Sequence, residues 1–260
     1  MKTRIISAIV LIPLLYIVYR GGLPLQIAGF AVGLLGVKEF YNAFSGMDIH
    51  PSFKLAALSA LLLYGFYIFN VLDRYFDLWL FITVISTLIV TLFSKKSWVL
   101  DGAVTLLGIF YVTLFSIYTI LLDGVTEYRY FIPMIFITAL VTDTSAYFSG
   151  YFLGKNKLWP EISPKKTKEG AVGGVLGSVI VSTLVGYFVA PDLLIHFVIL
   201  GFIGSVGGQI GDLIASAFKR KLDIKDYGNI IPGHGGVMDR FDSILVTGPL
   251  VYYYVILFIA

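Results

Sequence analysis

The sequence predicts an all-α protein: a polytopic helical bundle embedded in a membrane as one domain over residues 1–260. Three observations carry that expectation. First, 58% of the residues are hydrophobic and only 13% charged, with a mean hydropathy of +0.88. A soluble domain carries about 25% charged residues, and this chain has too few to cover a globular surface. Second, the apolar residues fall into nine runs, most of them near the ~20 residues that a helix needs to cross hydrocarbon. A helix bonds its own backbone groups, which lipid cannot do for it. Third, Lys and Arg collect on alternate connections between the runs. The chain has no cysteine, which excludes structural disulfides and thiolate metal sites.

In order, the runs cover residues 5–19, 23–43, 55–72, 78–93, 99–122, 130–152, 171–190, 193–218 and 244–260. The first resembles a secretory signal in its basic start. It reads better as a retained helix, because no small-x-small cleavage site follows and Arg20 stops the run. In the second, Gly29, Gly33 and Gly36 lie on one face and permit close helix contact. Tyr75 and Trp79, near the start of the fourth, fit interfacial anchors. His50 and His196 are isolated histidines without partners that would make a metal set. Residues 1–122 therefore read as scaffold helices, and residues 123–260 as the part that holds the chemistry.

Alternation assigns each charge to a face. One side takes Lys2, Arg4, Lys38, Lys54, Lys95, Lys96, Lys155, Lys157, Lys165, Lys166, Lys168, Lys219, Arg220, Lys221, Lys225 and Arg240; the other keeps Arg20, Arg74 and Arg129. That asymmetry places the N-terminus and the long basic loops in the cytoplasm. A bacterial inner membrane suits such a chain.

Chemistry gathers from the sixth run onward. Asp143 lies about two turns inside its cytoplasmic end, among Thr142, Thr144, Ser145 and Tyr147. A carboxylate at the centre of a membrane helix costs about 2.5–3.5 kcal/mol, less near the interface, so it should face a polar interior. It either bonds a neighbouring hydroxyl or lines a water-filled site. The following loop, residues 154–170, has five lysines against two glutamates. Within it Ser163, Lys165, Lys166 and Thr167 form a compact donor set before a helix start, an arrangement that favours polyphosphate; an anionic lipid surface is the alternative. Four GxxxG pairs, Gly170/Gly174, Gly173/Gly177, Gly204/Gly208 and Gly207/Gly211, predict close helix packing. Asp212 lies within the eighth run near its cytoplasmic end.

The densest signal is the polar island at residues 216–243, set between two apolar runs. Five of the nine residues from Gly228 to Gly236 are Gly or Pro, so its middle is an irregular loop. Beyond it, Asp239 and Asp242 stand at i, i+3 on one face of a helical turn. N-capping would explain either one alone. Together with Asp212 they make an oxygen-only donor set that suits Mg²⁺ held through carboxylates and substrate phosphates.

The run SAFKRKLDIKDYGNIIPGHGGVMDRFD from Ser216 to Asp242 resembles the pattern of the phosphatidate cytidylyltransferases, also called CDP-diacylglycerol synthases. DTSAY from Asp143 and SPKKTKEG from Ser163 resemble the same family. The resemblance implies transfer of a cytidylyl group from CTP to phosphatidate with Mg²⁺ as cofactor, a second metal or monovalent ion being compatible. It implies that Asp212 and Asp239 bind the metal, with Asp242 ligating a second ion or supporting the first. Asp212, Asp239, Lys219, Arg220 and His234 would be catalytic. Asp143, Ser163, Lys165, Lys166, Thr167, Lys225, Asp226, Gly235, Gly236 and Arg240 would bind substrate. Implied partners are CTP, phosphatidate and membrane lipid, without nucleic acid; a homodimer is compatible. Two other classes compete. CDP-alcohol phosphotransferases need a DGxxAR-type helix that is absent, and an ion-coupled transporter would account for Asp143 and Asp212 inside spans.

Overall fold

The computed structural model describes residues 16–93, 98–231, 233 and 235–260. The first expected span falls mostly outside the described residues, as do Lys2, Arg4, Lys95, Lys96 and His234. By internal contacts the chain divides into two compact units. The first holds Leu23–Ile117 and Leu222–Asp239, and the second holds Val18–Gly22, Tyr118–Lys221 and Arg240–Ala260. The loop at residues 222–239 thus groups with helices of the first half.

The first unit begins with α1 (Gly22–Ala43), followed by α2 (Phe53–Ile68), α3 (Leu72–Leu92) and α4 (Trp98–Gly108). A π-helical stretch, Ile109–Leu114, leads from α4 into α5 (Phe115–Gly124), which from Tyr118 onward belongs to the second unit. The glycines of α1 do permit close contact: a Cβ at Gly33 would lie 2.7 Å from Ser116 Oγ, and one at Gly36 3.0 Å from Val112 Cγ1. Ser52 starts α2 by accepting the Leu55 N–H at 3.4 Å. Trp79 differs from its reading as an interfacial anchor. It is completely buried, and its indole N–H donates to the Ser59 carbonyl at 2.9 Å, which makes it a contact between α2 and α3.

The second unit holds α6 (Ile132–Leu153), a short antiparallel hairpin of β1 (Lys157–Trp159) and β2 (Ser163–Thr167), and then α7 (Lys168–Val189), α8 (Leu194–Lys221) and α9 (Met238–Phe258), of which Arg240 onward belongs here. Its polarity is inverted relative to a soluble bundle. On α7, Val172, Leu176, Ile180 and Leu184 point outward and are exposed, while Gly170, Gly174, Ser178 and Ser182 face in. The inward small residues let backbones meet, as the GxxxG spacing predicts: a Cβ at Gly170 would lie 2.8 Å from the Ala146 carbonyl oxygen of α6. Three hydroxyls inside the bundle are bonded across helices. Thr142 donates to Ser205 at 2.8 Å, Ser178 to the Gly201 carbonyl at 2.9 Å, and Thr247 to the Ile135 carbonyl at 3.1 Å. An apolar exterior over a small, polar interior is the pattern of a chain solvated by lipid.

Among the described residues, seven helical stretches are long and apolar enough to cross a membrane. They match seven of the nine expected runs. The eighth described run, α2, has 16 residues, about 24 Å at 1.5 Å per residue.

Candidate active site

In the second unit, the local sequence folds the basic loop onto the start of α7. Thr167 caps that helix, its Oγ1 accepting the Gly170 N–H at 3.1 Å. Glu169 reaches back to accept from Asn156 Nδ2 at 2.7 Å and from the Lys155 N–H at 3.1 Å. Arg220, at the end of α8, donates from Nε to the Ile162 carbonyl at 3.2 Å and ties the hairpin turn down. These fastenings leave a cavity of about 450 Å³ lined by Asp143, Tyr147, Tyr151, Lys165, Lys166, Thr167 and Gln209, among others. That volume lies in the range of small-ligand sites, about 300–1,000 Å³.

Lys166 is the electrostatic centre of this region. Its ammonium pairs directly with Asp212, whose Oδ1 also receives a long 3.5 Å contact from Ser216 Oγ. Burial pushes the Lys166 amine down from the ordinary lysine value; the charges of Asp143 and Asp242 oppose that and the charge of Lys219 adds to it. Arg240 acts electrostatically on Asp143. Close packing of α8 on α9 places Asp242 beside this group, since a Cβ at Gly211 would lie 2.7 Å from the Asp242 carbonyl oxygen. Asp242 is 8% exposed, and its Oδ1 accepts the Ser243 N–H at 2.7 Å. Ser163 sits half-buried in β2, paired with Trp159.

The first unit holds the glycine-rich loop, where backbone amides donate to a carboxylate. Asp239 Oδ2 accepts from the Tyr227 N–H at 2.7 Å and from the Gly236 N–H at 3.0 Å. The Ile231 N–H donates to the Gly235 carbonyl at 2.9 Å and closes the turn. Gly235 has φ +85°, and a Cβ there would also lie 2.9 Å from Asp239 Oδ2, so glycine is required on both grounds. Lys225 and Asp226 are exposed on the loop. His234 lies outside the described residues.

One residue here escaped the sequence reading. Glu39, on α1, is 4% exposed, and its Oε2 accepts the Met238 N–H at 2.8 Å. It is the one acidic residue of α1. The cost argument applied to Asp143 would have singled it out, but Lys38 beside it reads as the helix end meeting the interface. Gln209 and Tyr151, which line the cavity, gave no signal beyond ordinary helix composition.

Among the described residues, no three His, Cys, Asp or Glu side chains cluster closely enough to hold a metal on their own. Mg²⁺ does not need such a cage, because it keeps waters and takes one or two carboxylates plus substrate phosphates. The Asp212 site fits that pattern: its donors are oxygens, and a cation, the Lys166 ammonium, already stands on it.

Comparison with known proteins then decides the family. The model of the cytidylyltransferase family matches residues 2–258. The chain belongs to the cytidylyltransferase family. Within this family, the phosphatidate cytidylyltransferase of Bacillus subtilis (strain 168) is 36% identical, over 99% of this chain and 98% of the relative. Those of Staphylococcus aureus (strain COL) and Staphylococcus saprophyticus are 35% and 34% identical, each over 96% of this chain and 97% of the relative. Family membership thus extends over the first-half helices, beyond the motifs from Asp143 onward that suggested it. None of these relatives supports the transporter alternative.

Proposed function

We infer that the chain transfers a cytidylyl group from CTP to phosphatidate, forming CDP-diacylglycerol and pyrophosphate. The carrying observation is the match, nearly end to end, to relatives that bear the name phosphatidate cytidylyltransferase. In the reaction a phosphatidate phosphate oxygen forms a bond to the α-phosphorus of CTP while the bond to the β-phosphate oxygen breaks, and pyrophosphate leaves. No covalent enzyme intermediate is needed, so catalysis is positioning and charge neutralisation.

The residues support specific parts. Lys165 and Lys166 line the cavity as phosphate donors, and Lys219 adds positive charge close to Lys166. Arg220 holds the hairpin turn through Nε and keeps its other guanidinium donors for phosphate. On incoming triphosphate, Lys166 would exchange Asp212 for phosphate oxygens and free that carboxylate. Asp212 and Asp239 would hold Mg²⁺, with Asp242 supporting the first. Bound there, Mg²⁺ would draw charge from the transferring and departing phosphates. His234, with Gly235 and Gly236, would close over pyrophosphate.

We also place the loops in the cytoplasm of a bacterial inner-membrane protein with nine spans. Two hydrogen bonds support including the short α2 in that count. Glu39, near the end of α1, bonds to Met238 at the start of α9, so an even number of crossings must separate them. Crossing by α2, α3, the α4–α5 stretch, α6, α7 and α8 gives an even number, and omitting the short α2 makes it odd. The Gly22 N–H, at the start of α1, donates to Asp123 Oδ2 of α5 at 2.6 Å, and again the number of crossings is even only when α2 counts.

The test is radiolabelled CTP with phosphatidate in sealed vesicles of known orientation. CDP-diacylglycerol should form when CTP meets the cytoplasmic face and not when it meets the other. No product from either face, or from detergent-solubilised protein, would remove the activity.

A further inference from the structure

We propose that Glu39 is the positioning residue of the glycine-rich loop, fixing from α1 the backbone that presents Asp239. The inference rests on the reading above for what Asp239 does, but the geometry stands by itself. Glu39 is buried on a mostly apolar helix, where a carboxylate persists only with bonded partners. Its Oε2 accepts the Met238 N–H at 2.8 Å. That donor is one of the amides at the N-terminus of α9 that no intrahelical carbonyl can satisfy, so a side chain from α1 serves as the cap. The negative charge also suits the positive end of α9.

The loop is shaped around this carboxylate. A Cβ on Gly228 or on Gly236 would lie 2.6 Å from Glu39 Cδ, so both glycines are needed for the backbone to wrap it from two directions. Gly236 then links the two acids: its Cα lies against Glu39, and its N–H donates to Asp239 Oδ2 at 3.0 Å. A second link runs through the neighbouring ring. Phe40 packs on Tyr227 with centroids 6.2 Å apart, and the Tyr227 N–H donates to the same Asp239 oxygen at 2.7 Å. Both amides that hold Asp239 therefore belong to residues braced by Glu39 or its neighbour. Oε1 of Glu39 has no hydrogen-bond partner among the described residues; the loop retains a charge-bearing group there although a smaller apolar one would avoid that loss.

Full-length Glu39→Ala and Glu39→Gln, purified in detergent, test the proposal by two readouts. The first is trypsin cleavage after Lys225, which reports loop order without any substrate. The second is the Mg²⁺ concentration for half-maximal turnover, measured beside kcat and KM. Glu39→Ala should raise cleavage by roughly tenfold or more, lower kcat about 10–100-fold, and raise the Mg²⁺ requirement. Glu39→Gln, which keeps an oxygen for the Met238 N–H, should restore most of both. If Glu39→Ala does not fold, Gly236→Ala, which pushes a methyl group onto the carboxylate, should give the same rise in cleavage. Unchanged cleavage overturns the proposal. So does a fall in active fraction with the Mg²⁺ requirement and cleavage of the folded protein at wild-type values. An inactive wild-type protein would defeat the functional reading alone, and cleavage would then decide the role of Glu39.

Discussion

The hairpin region and the glycine-rich loop solve the problem of handling negative charge in opposite ways. Around β1 and β2 charge meets charge: Lys166 reaches Asp212, with the two side chains 29% and 23% exposed, beside an open cavity. In the loop, Asp239 is held by two backbone amides and Glu39 by a third. A lysine on a flexible stem can leave one anion for another at little structural cost. A carboxylate fixed by amides keeps its direction before substrate arrives, which is what preorganised electrostatics require. The first region is suited to capture and exchange, the second to holding geometry.

The largest effect should come from removing charge without changing shape. Asp212→Asn and Asp239→Asn should each abolish Mg²⁺-dependent CDP-diacylglycerol formation while the protein still folds in detergent. Losing several kcal/mol of charge stabilisation, at about 1.4 kcal/mol per tenfold, corresponds to a loss on the order of 10³. The two should differ in stability. Asn at position 239 keeps a carbonyl oxygen for neutral amides, whereas Asn at 212 keeps an acceptor for Lys166 but removes the charge that its ammonium is paired with. Wild-type-like turnover in either purified variant would remove that residue from the metal site.

A smaller effect is expected at Lys166. Lys166→Gln should lower turnover on the order of 10², the scale of one lost donor, and should raise KM for CTP. The contrast between the regions becomes sharper in the double variant. Because Lys166 and Asp212 are direct partners, Lys166→Gln with Asp212→Asn should be no worse than Asp212→Asn alone to within about threefold, since contacting residues are not additive. Full additivity would mean that Lys166 acts on substrate without reference to Asp212.

What was legible in the sequence follows the same division. The helices were legible because lipid demands long apolar runs, and the cation-rich loop because five lysines between Gly154 and Gly170 interrupt them. The glycines of α6–α7 and α8–α9 packing were legible by spacing. The hairpin at 157–167 was not: two short strands rich in Lys and Pro show no alternation, and only the fastening by Glu169 and Arg220 reveals why they form. The π-helical stretch at 109–114 left no pattern. Trp79 misled because a tryptophan near a span end looks the same whether it faces headgroups or the Ser59 carbonyl. Glu39 was missed because its partner lies 199 residues away, and no local pattern records a contact at that range. Amide-held carboxylates are hidden in this way generally, since the sequence shows the acid and not the backbone that will hold it.

The smallest effect separates the cavity wall from the cavity. Thr142 lies one residue before Asp143, is 1% exposed, and donates to Ser205 at 2.8 Å. Such bonds between membrane helices average about 0.6 kcal/mol, so Thr142→Val should lower thermal stability slightly and leave turnover within about twofold. Ser205 is not stranded by the change, because Gln209 Nε2 approaches the same oxygen at 3.5 Å. That approach gives the prediction its edge. Gln209 lines the cavity, so when Thr142 withdraws, Gln209 is free to turn further toward Ser205 and away from the Ala171 carbonyl it now reaches at 3.3 Å. A rise in KM for CTP with stability unchanged would therefore assign Gln209 to substrate. A stability loss alone would confine Thr142 to the packing of α6 against α8.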